Sequence, residues 1–341
     1  MKKRIGFRAD GNSQIGLGHI YRLLSLSQLL KDNFYTVFII YCPSQSITTQ
    51  IKNVVDKILI LSKNDDLYSP DETETYINEI DILVTDGYKF NSEFQQYIKS
   101  KQKKLICIDD IFQFNFFADV VINHAIGVSQ DLYNIQPYTK LCLGTEYLML
   151  RQEFYEVKKQ NKPITSINKV LICFGGADPD NYTLSCLKLM VNCGYSDISV
   201  IIGSVNTNEE ELINYKNALQ NIQIRFYVDI SAREVIDLIQ NCDLMVTSPS
   251  TISYEACMVG IPLIIFKTAE NQQKIAEGLL YNKCAIMLPD PAKIDSEINR
   301  RFLNDLNAKI DVLREVLKNQ TVFFNDSSKF NLRNIFNELN Y

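Results

Sequence analysis

The stretch Val170-Leu171-Ile172-Cys173-Phe174-Gly175-Gly176-Ala177-Asp178-Pro179-Asp180-Asn181 reads as a strand, a glycine turn and a helix start. Its apolar residues run continuously instead of alternating, which suits a parallel strand covered by helices on both faces. Gly175 and Gly176 free the backbone immediately afterwards. Asp178 is then placed to cap a helix and Pro179 to occupy its first position.

The same order recurs on either side. Short β-rich runs stand at 4–8, 37–41, 58–61, 82–85, 105–108 and 120–122, then at 170–174, 199–202, 222–228, 244–247 and 263–266, with longer helical patterns between them. Alternation of this kind predicts doubly wound sheets. The polar, charged segment Lys158-Lys159-Gln160-Asn161-Lys162-Pro163 suits an exposed linker. The fold class expected is α/β, with two Rossmann-like domains facing a cleft lined by strand C-termini, the edge where open α/β sheets bind ligands. The domains are expected at 1–157 and 165–315, followed by a helical segment at 316–341. Within that segment Leu332, Ile335, Phe336 and Leu339 share one face at helical spacing.

Composition narrows the classes of partner. The 341 residues are 46% hydrophobic with a net charge of -5, and no Lys/Arg stripe stands out, which argues against nucleic acid. The basic start Met1-Lys2-Lys3-Arg4 precedes only a few apolar residues, and no apolar run approaches the roughly 18 needed to cross a bilayer. The expectation is a cytoplasmic monomer without membrane insertion. The nine cysteines are scattered, with no C-x-x-C pair, so they read as buried reduced thiols. Neither a metal nor a cofactor is expected.

Three stretches can carry chemistry. In Arg8-Ala9-Asp10-Gly11-Asn12-Ser13-Gln14-Ile15-Gly16-Leu17-Gly18-His19-Ile20-Tyr21-Arg22 a strand feeds a glycine loop, and a helix opens near His19. Gly16 and Gly18 allow close approach of a ligand to the backbone, and the helix start offers free N–H groups to an anion. The dinucleotide fingerprint is absent, because its third glycine would fall at Tyr21. A helix N-terminus disfavours imidazolium, which leaves His19 able to accept a proton; the competing reading is a structural histidine that caps the loop. The chain has only one other histidine, His124, read as structural with a strand-end position that keeps it a spare candidate. The second stretch is the Gly175-Gly176 turn, a plain βα turn or a phosphate contact. In the third, Thr247-Ser248-Pro249-Ser250-Thr251-Ile252-Ser253-Tyr254-Glu255, a strand ends, hydroxyl residues open a helix, and Glu255 stands one turn in. Backbone N–H groups there can hold a diphosphate and the carboxylate a ribose. A capping box would instead want the acid three residues after the cap. Asn271 and Gln272 sit at a further strand-to-helix junction, and Tyr88 follows the 82–85 strand.

Taken in order, Arg8-x-Asp10, Gly16-x-Gly18-His19-x-x-Arg22, Gly144-Thr145-Glu146-Tyr147-Leu148-Met149-Leu150-Arg151-x-Glu153-Phe154, Phe174-Gly175-Gly176-x-Asp178, Ser250-Thr251-x-x-x-Glu255-x-x-x-x-Gly260-x-Pro262 and Asn271-Gln272 form a set. This set resembles the UDP-2,4-diacetamido-2,4,6-trideoxy-β-L-altropyranose hydrolases of pseudaminic acid biosynthesis and the spore-coat polysaccharide proteins similar to them. The resemblance implies a glycosyltransferase-B-like fold and metal-independent release of UDP and free sugar by hydrolysis at the anomeric carbon. It implies that His19 activates water, with Gly18 and its loop bordering the sugar and Tyr88 flanking the substrate. It implies that Ser250 and Thr251 hold the diphosphate, Glu255 the ribose, and Asn271 and Gln272 the sugar and phosphate. Arg8, Asp10, Gly16, Arg22, Gly175 and Gly176 complete the expected substrate- and UDP-binding set. A glycosyltransferase using an acceptor in place of water, and a non-catalytic UDP-sugar binder, are the alternatives. The family's Asp-Gly-x-Gly stretch is replaced here by Asn325-Asp326-Ser327-Ser328-Lys329.

Overall fold

Each of the apolar runs becomes a strand, and all the pairings described are parallel. The computed structural model describes residues 2–11, 16–61, 70–159, 164–290 and 292–339, so 12–15 of the first glycine loop and 160–163 of the expected linker lie outside the described residues. One unit comprises Met1–Gln152 with Asp326–Tyr341, and the other Glu153–Asn325.

The first unit contains β1 (Arg4–Ala9), α1 (Gly18–Leu30), β2 (Tyr35–Tyr41), α2 (Gln45–Lys52), β3 (Lys57–Leu61), α3 (Pro70–Ile77), β4 (Ile82–Asp86), α4 (Ser92–Ser100), β5 (Lys104–Ile108), β6 (Asn115–Phe116), β7 (Val120–Asn123), β8 (Asn134–Ile135) and β9 (Lys140–Leu143), and α5 (Gln152–Tyr155) begins at its boundary. The second contains β10 (Lys169–Cys173), α6 (Tyr182–Asn192), β11 (Asp197–Ile202), α7 (Glu209–Asn217), β12 (Gln223–Val228), α8 (Ala232–Asn241), β13 (Leu244–Thr247), α9 (Thr251–Val259), β14 (Leu263–Ile265), α10 (Gln273–Tyr281), β15 (Ile286–Met287), α11 (Glu297–Asn304) and α12 (Ile310–Phe323). The last helix, α13 (Ser327–Leu339), returns to the first unit.

Strand order is β3-β2-β1-β4-β5-β7-β9 in one sheet and β12-β11-β10-β13-β14-β15 in the other, with β6 and β8 paired separately. These are two parallel, doubly wound, Rossmann-like sheets. The order reverses between β1 and β4 and again between β10 and β13, the two places where such sheets open a crevice at their strand C-termini. The central strands are buried on both faces, which is why their sequences are continuously apolar. Separate cores form, one around Val37, Leu83, Phe94 and Val121, the other around Val170, Leu187, Val246 and Leu313.

Two local readings are corrected. α6 starts at Tyr182, three residues beyond the expected first position at Pro179, because Asp178 and Asn181 both adopt positive φ. Asp178 still caps: its carboxylate accepts the N–H groups of Tyr182 and Thr183, each at 2.8 Å. Most cysteines are buried, but Cys42 is exposed at positive φ just past β2.

The C-terminal residues divide between the units. Gln320 of α12 donates to the carbonyls of Ile261 and Cys284, while Lys159 donates to the terminal carbonyls of Gln320 and Phe324 and so ends that helix. α13 lies on the far end of α1: Phe336 meets Phe34 at 6.5 Å between ring centroids, and Arg333 Nε donates to Leu29 O. Asn331 donates to Glu146 O, and Lys140 pairs with Glu338 at 2.7 Å.

In the second unit the loops after β10 and β11 touch backbone to backbone. A Cβ on Gly203 would stand 2.3 Å from Gly176 Cα, far inside contact distance. Gly203→Ala is therefore expected to destabilise this unit by about 1–3 kcal/mol through overpacking, read as a lowered midpoint in urea; an unchanged midpoint would show that the two loops part freely.

Candidate functional site

Ala9 at the end of β1 pairs in register with Asp86 at the end of β4, so the first glycine loop and the β4 carboxylate meet at the reversal point. Gly16 has φ +77 and both it and Gly18 have open space where a side chain would stand, which leaves the backbone at these two glycines approachable. α1 starts at Gly18 without a side-chain cap, and its first turns bring His19 and Arg22 onto one face, three residues apart.

Both converge on Asp86, which is 1% exposed. Arg22 donates Nε to Oδ2 and Nη2 to Oδ1, each at 2.8 Å, a two-pronged pair. His19 Nδ1 lies 2.6 Å from Oδ1 of the same carboxylate. Burial by itself would raise the Asp86 carboxyl; the charges of Arg22 and His19 and their hydrogen bonds outweigh it, and the carboxyl lies below its ordinary range. An ionised Asp86 can only accept, so Nδ1 must carry the proton and donate it. The 2.8 Å approach of Arg22 Nη2 to Nδ1 then follows from two donors sharing one oxygen. In the neutral ring Nε2 is left as the acceptor.

The neighbourhood extends along the same sheet edge. Arg22 Nη1 donates to Asp110 Oδ2 at 2.9 Å, beyond β5. Asp109 beside it is pushed up to about 6, first by burial and then by the charge of Asp110, against the hydrogen bond from Phe112 N–H. The Tyr88 ring stands edge-on to His19 with centroids 5.0 Å apart, and Tyr88 is 40% exposed. Arg8 and Asp10 form their own buried cluster: Arg8 bonds Asp10 and Glu72 and lies over the Phe90 ring. Asp10 also takes Lys89 at 2.7 Å and the N–H of Tyr41. His124 is buried, and its Nδ1 accepts the N–H of Met149 at 3.2 Å. Burial pushes its imidazole down to about 3, with Arg22 adding to the effect.

In the second unit Cys173 pairs with Thr247, so the Gly175-Gly176 turn and the start of α9 adjoin at that sheet's reversal point. Gly175 has φ +85 and open space around it. Ser250 occupies the cap position of α9, yet no side chain caps the helix; its hydroxyl instead meets that of Ser248 at 3.1 Å. Thr251 is half-buried in the first turn, and Glu255 is buried one turn further in. Asn271 is exposed. The Gln272 carboxamide oxygen accepts from Thr268 N and Ala269 N, so it closes the turn that carries Asn271.

Asp86, Asp110, Lys89 and Gly203 were not singled out from sequence as site residues. Asp86 left the clearest trace, a carboxylate ending the buried apolar strand Ile82-Leu83-Val84-Thr85. Among the described residues no group of three or more His, Cys, Asp or Glu could hold a metal ion, and no helix is long and apolar enough to cross a membrane.

No protein-family profile matches the sequence. Over 289 residues the chain is 29% identical to an uncharacterized protein of Methanocaldococcus jannaschii, a match covering 81% of this chain and 58% of that protein, so the chain spans little more than half of that relative. It is 24% identical over 281 residues to the UDP-2,4-diacetamido-2,4,6-trideoxy-β-L-altropyranose hydrolase of Campylobacter jejuni, covering 81% of this chain and 96% of that one. It is 20% identical over 281 residues to the spore coat polysaccharide biosynthesis protein SpsG of Bacillus subtilis, covering 80% of each. Among solved structures, MurG of Acinetobacter baumannii superposes with a TM-score of 0.62 at 13% identity, over 99% of this chain and 100% of that one. Anabaena HepE, solved with UDP and glucose, superposes with a TM-score of 0.63 at 13% identity over 99% of each chain. The fold is thus glycosyltransferase-B-like, as expected.

The environment of His124 sets a pH dependence. Its folded value of about 3 lies below the ordinary 6.5, so between these limits the unfolded chain binds the extra proton. The His124 contribution to stability should be fully present above about pH 6.5 and fall on acidification, by about 2 kcal/mol at pH 5, partly offset by Asp109, whose raised carboxyl takes up a proton over the same range. Urea unfolding of wild type beside His124→Gln at pH 7 and pH 5 checks this: the variant should lose less on acidification, and equal losses would remove His124 from the account.

Proposed function

We propose that this chain hydrolyses a UDP-linked 2,4-diacetamido-2,4,6-trideoxy sugar at its anomeric carbon, releasing UDP and the free sugar used in pseudaminic acid biosynthesis. The observation that carries the reading is the His19–Asp86 contact of 2.6 Å, which commits Nδ1 as a donor and leaves Nε2 to take a proton. The similarity to the Campylobacter jejuni hydrolase, which this match covers almost end to end, supplies the substrate class.

In this scheme Nε2 accepts a proton as the oxygen of a water bonds to the anomeric carbon. The bond from that carbon to the β-phosphate oxygen breaks, and UDP leaves with the electron pair. Gly16, Gly18 and Tyr88 border the sugar. The uncapped start of α9, with Ser250 and Thr251, takes the diphosphate on backbone N–H groups and hydroxyls, where a helix dipole favours negative charge. The Gly175-Gly176 turn lies alongside on the same sheet edge. Glu255 accepts the ribose hydroxyls, Asn271 meets the sugar, and Gln272 holds Asn271 in place through its bonds to residues 268 and 269.

Anomeric-proton NMR with UDP-2,4-diacetamido-2,4,6-trideoxy-β-L-altropyranose and no acceptor tests the scheme. Wild type should release UDP and free sugar, and His19→Ala should lower kcat by about 100- to 10,000-fold. Glu255→Gln should raise KM by about 10-fold or more, from loss of a hydrogen bond to a charged group. An intact substrate that turns over only when an acceptor is supplied would make the chain a transferase. Undiminished release by His19→Ala would remove it as the base.

A further inference from the structure

Arg22 belongs to the sequence motif of the glycine loop, and a cation there invites assignment to the substrate's phosphates. Its geometry points elsewhere. All three guanidinium nitrogens are committed inside the protein: Nε and Nη2 to Asp86, Nη1 to Asp110. The side chain is 7% exposed, and Asp110 holds its outer edge at 2.9 Å. A guanidinium fork filled by two carboxylates has little left to offer a diphosphate.

We propose that Arg22 is a positioning residue for His19, a clamp anchored by Asp110 that keeps Asp86 ionised and aimed at Nδ1, and that it makes no contact with the substrate. This rests on the proposed role of His19 as base and deepens it. Without Arg22, Asp86 would be a buried charge relieved only by His19, and the proton would be drawn onto the imidazole. Without Asp86, Arg22 would stand beside Nδ1 with only Asp110 to offset its charge and would drive a proton off the ring. Among the described residues, the groups facing the imidazole are Asp86 from β4, Arg22 from α1 itself and Tyr88 from the loop after β4. Asp110 acts through Arg22, and His124 lies near enough to feel both Arg22 and Asp86. Replacing Arg22 or Asp86 must therefore move the titration of His19 in opposite directions, whereas a phosphate ligand at Arg22 would alter affinity and leave the free enzyme's ring as it was.

The test is nitrogen-15 NMR of the imidazoles in the full chain without substrate. Only two histidines are present, and His124→Gln assigns them. Wild-type His19 should show Nδ1 protonated and Nε2 bare in its neutral form, a result that needs no variant. Its titration midpoint should rise by about one pH unit or more in Arg22→Gln and fall by a similar amount in Asp86→Asn. Arg22→Lys, which keeps the buried charge but loses the fork, should move it less than Arg22→Gln. With the UDP-sugar as substrate, Arg22→Gln should lower kcat at least 10-fold and leave KM within about twofold. A wild-type proton on Nε2, shifts of the same sign in the two variants, or a raised KM with an unmoved midpoint would overturn the proposal. If the predicted tautomer and shifts appear in a protein that does not hydrolyse the UDP-sugar, the clamp stands and the assigned reaction falls.

Discussion

A carboxylate with 1% exposure at the end of a strand, Asp86, constrains the rest of the first unit. Burying such a charge unpaired would cost several kcal/mol, so partners must arrive from elsewhere in the chain. The fork of Arg22 and the ring N–H of His19 both do so, from positions three apart on one helix. For that to happen α1 must begin where it does, directly after Gly18, and β1 must lie beside β4 in the register that sets Ala9 against Asp86. The link from Arg22 to Asp110 then ties in β5. Strand order, helix start and side-chain chemistry are thus coupled through one buried charge.

This coupling also explains what could be read from the sequence. The central strands were legible because burial on both faces demands continuous apolar runs. β9 was missed because Lys140-Leu141-Cys142-Leu143 lies at the sheet edge and is only partly covered. His19 and its glycines were legible because they are neighbours in sequence, whereas Arg22 and Asp86 are 64 residues apart and Arg22 and Asp110 are 88 apart. Local patterning carries no trace of such pairs. The amphipathic spacing of Leu332, Ile335 and Phe336 marked an apolar face without saying what would cover it. That face packs on the unit carrying α1, although α12 just before it belongs to the other unit. The start of α6 was misplaced because Asp178 can cap from four residues upstream when positive φ redirects the chain.

The shared fold leaves the reaction open, since one fold hosts many functions. Chemistry has to be argued from the two reversal points, which differ in charge. The first is crowded with carboxylates, at Asp10, Asp86, Asp109 and Asp110, and its buried cations Arg8 and Arg22 are already spent on them. A diphosphate placed there would meet repulsion that neither Arg8 nor Arg22, each already paired with carboxylates, is placed to relieve. The second offers Gly175, Gly176, Ser248, Ser250 and an uncapped helix start, neutral donors that suit an anion, with buried Asp178 turned to the N–H groups of Tyr182 and Thr183 and Glu255 buried one turn into α9. A proton acceptor, in turn, needs negative charge behind it to hold the proton it takes up, and His19 has Asp86 in that position. The two edges therefore differ in what each favours: the neutral donors of the second suit an anion, and the carboxylates of the first suit a group that takes up a proton.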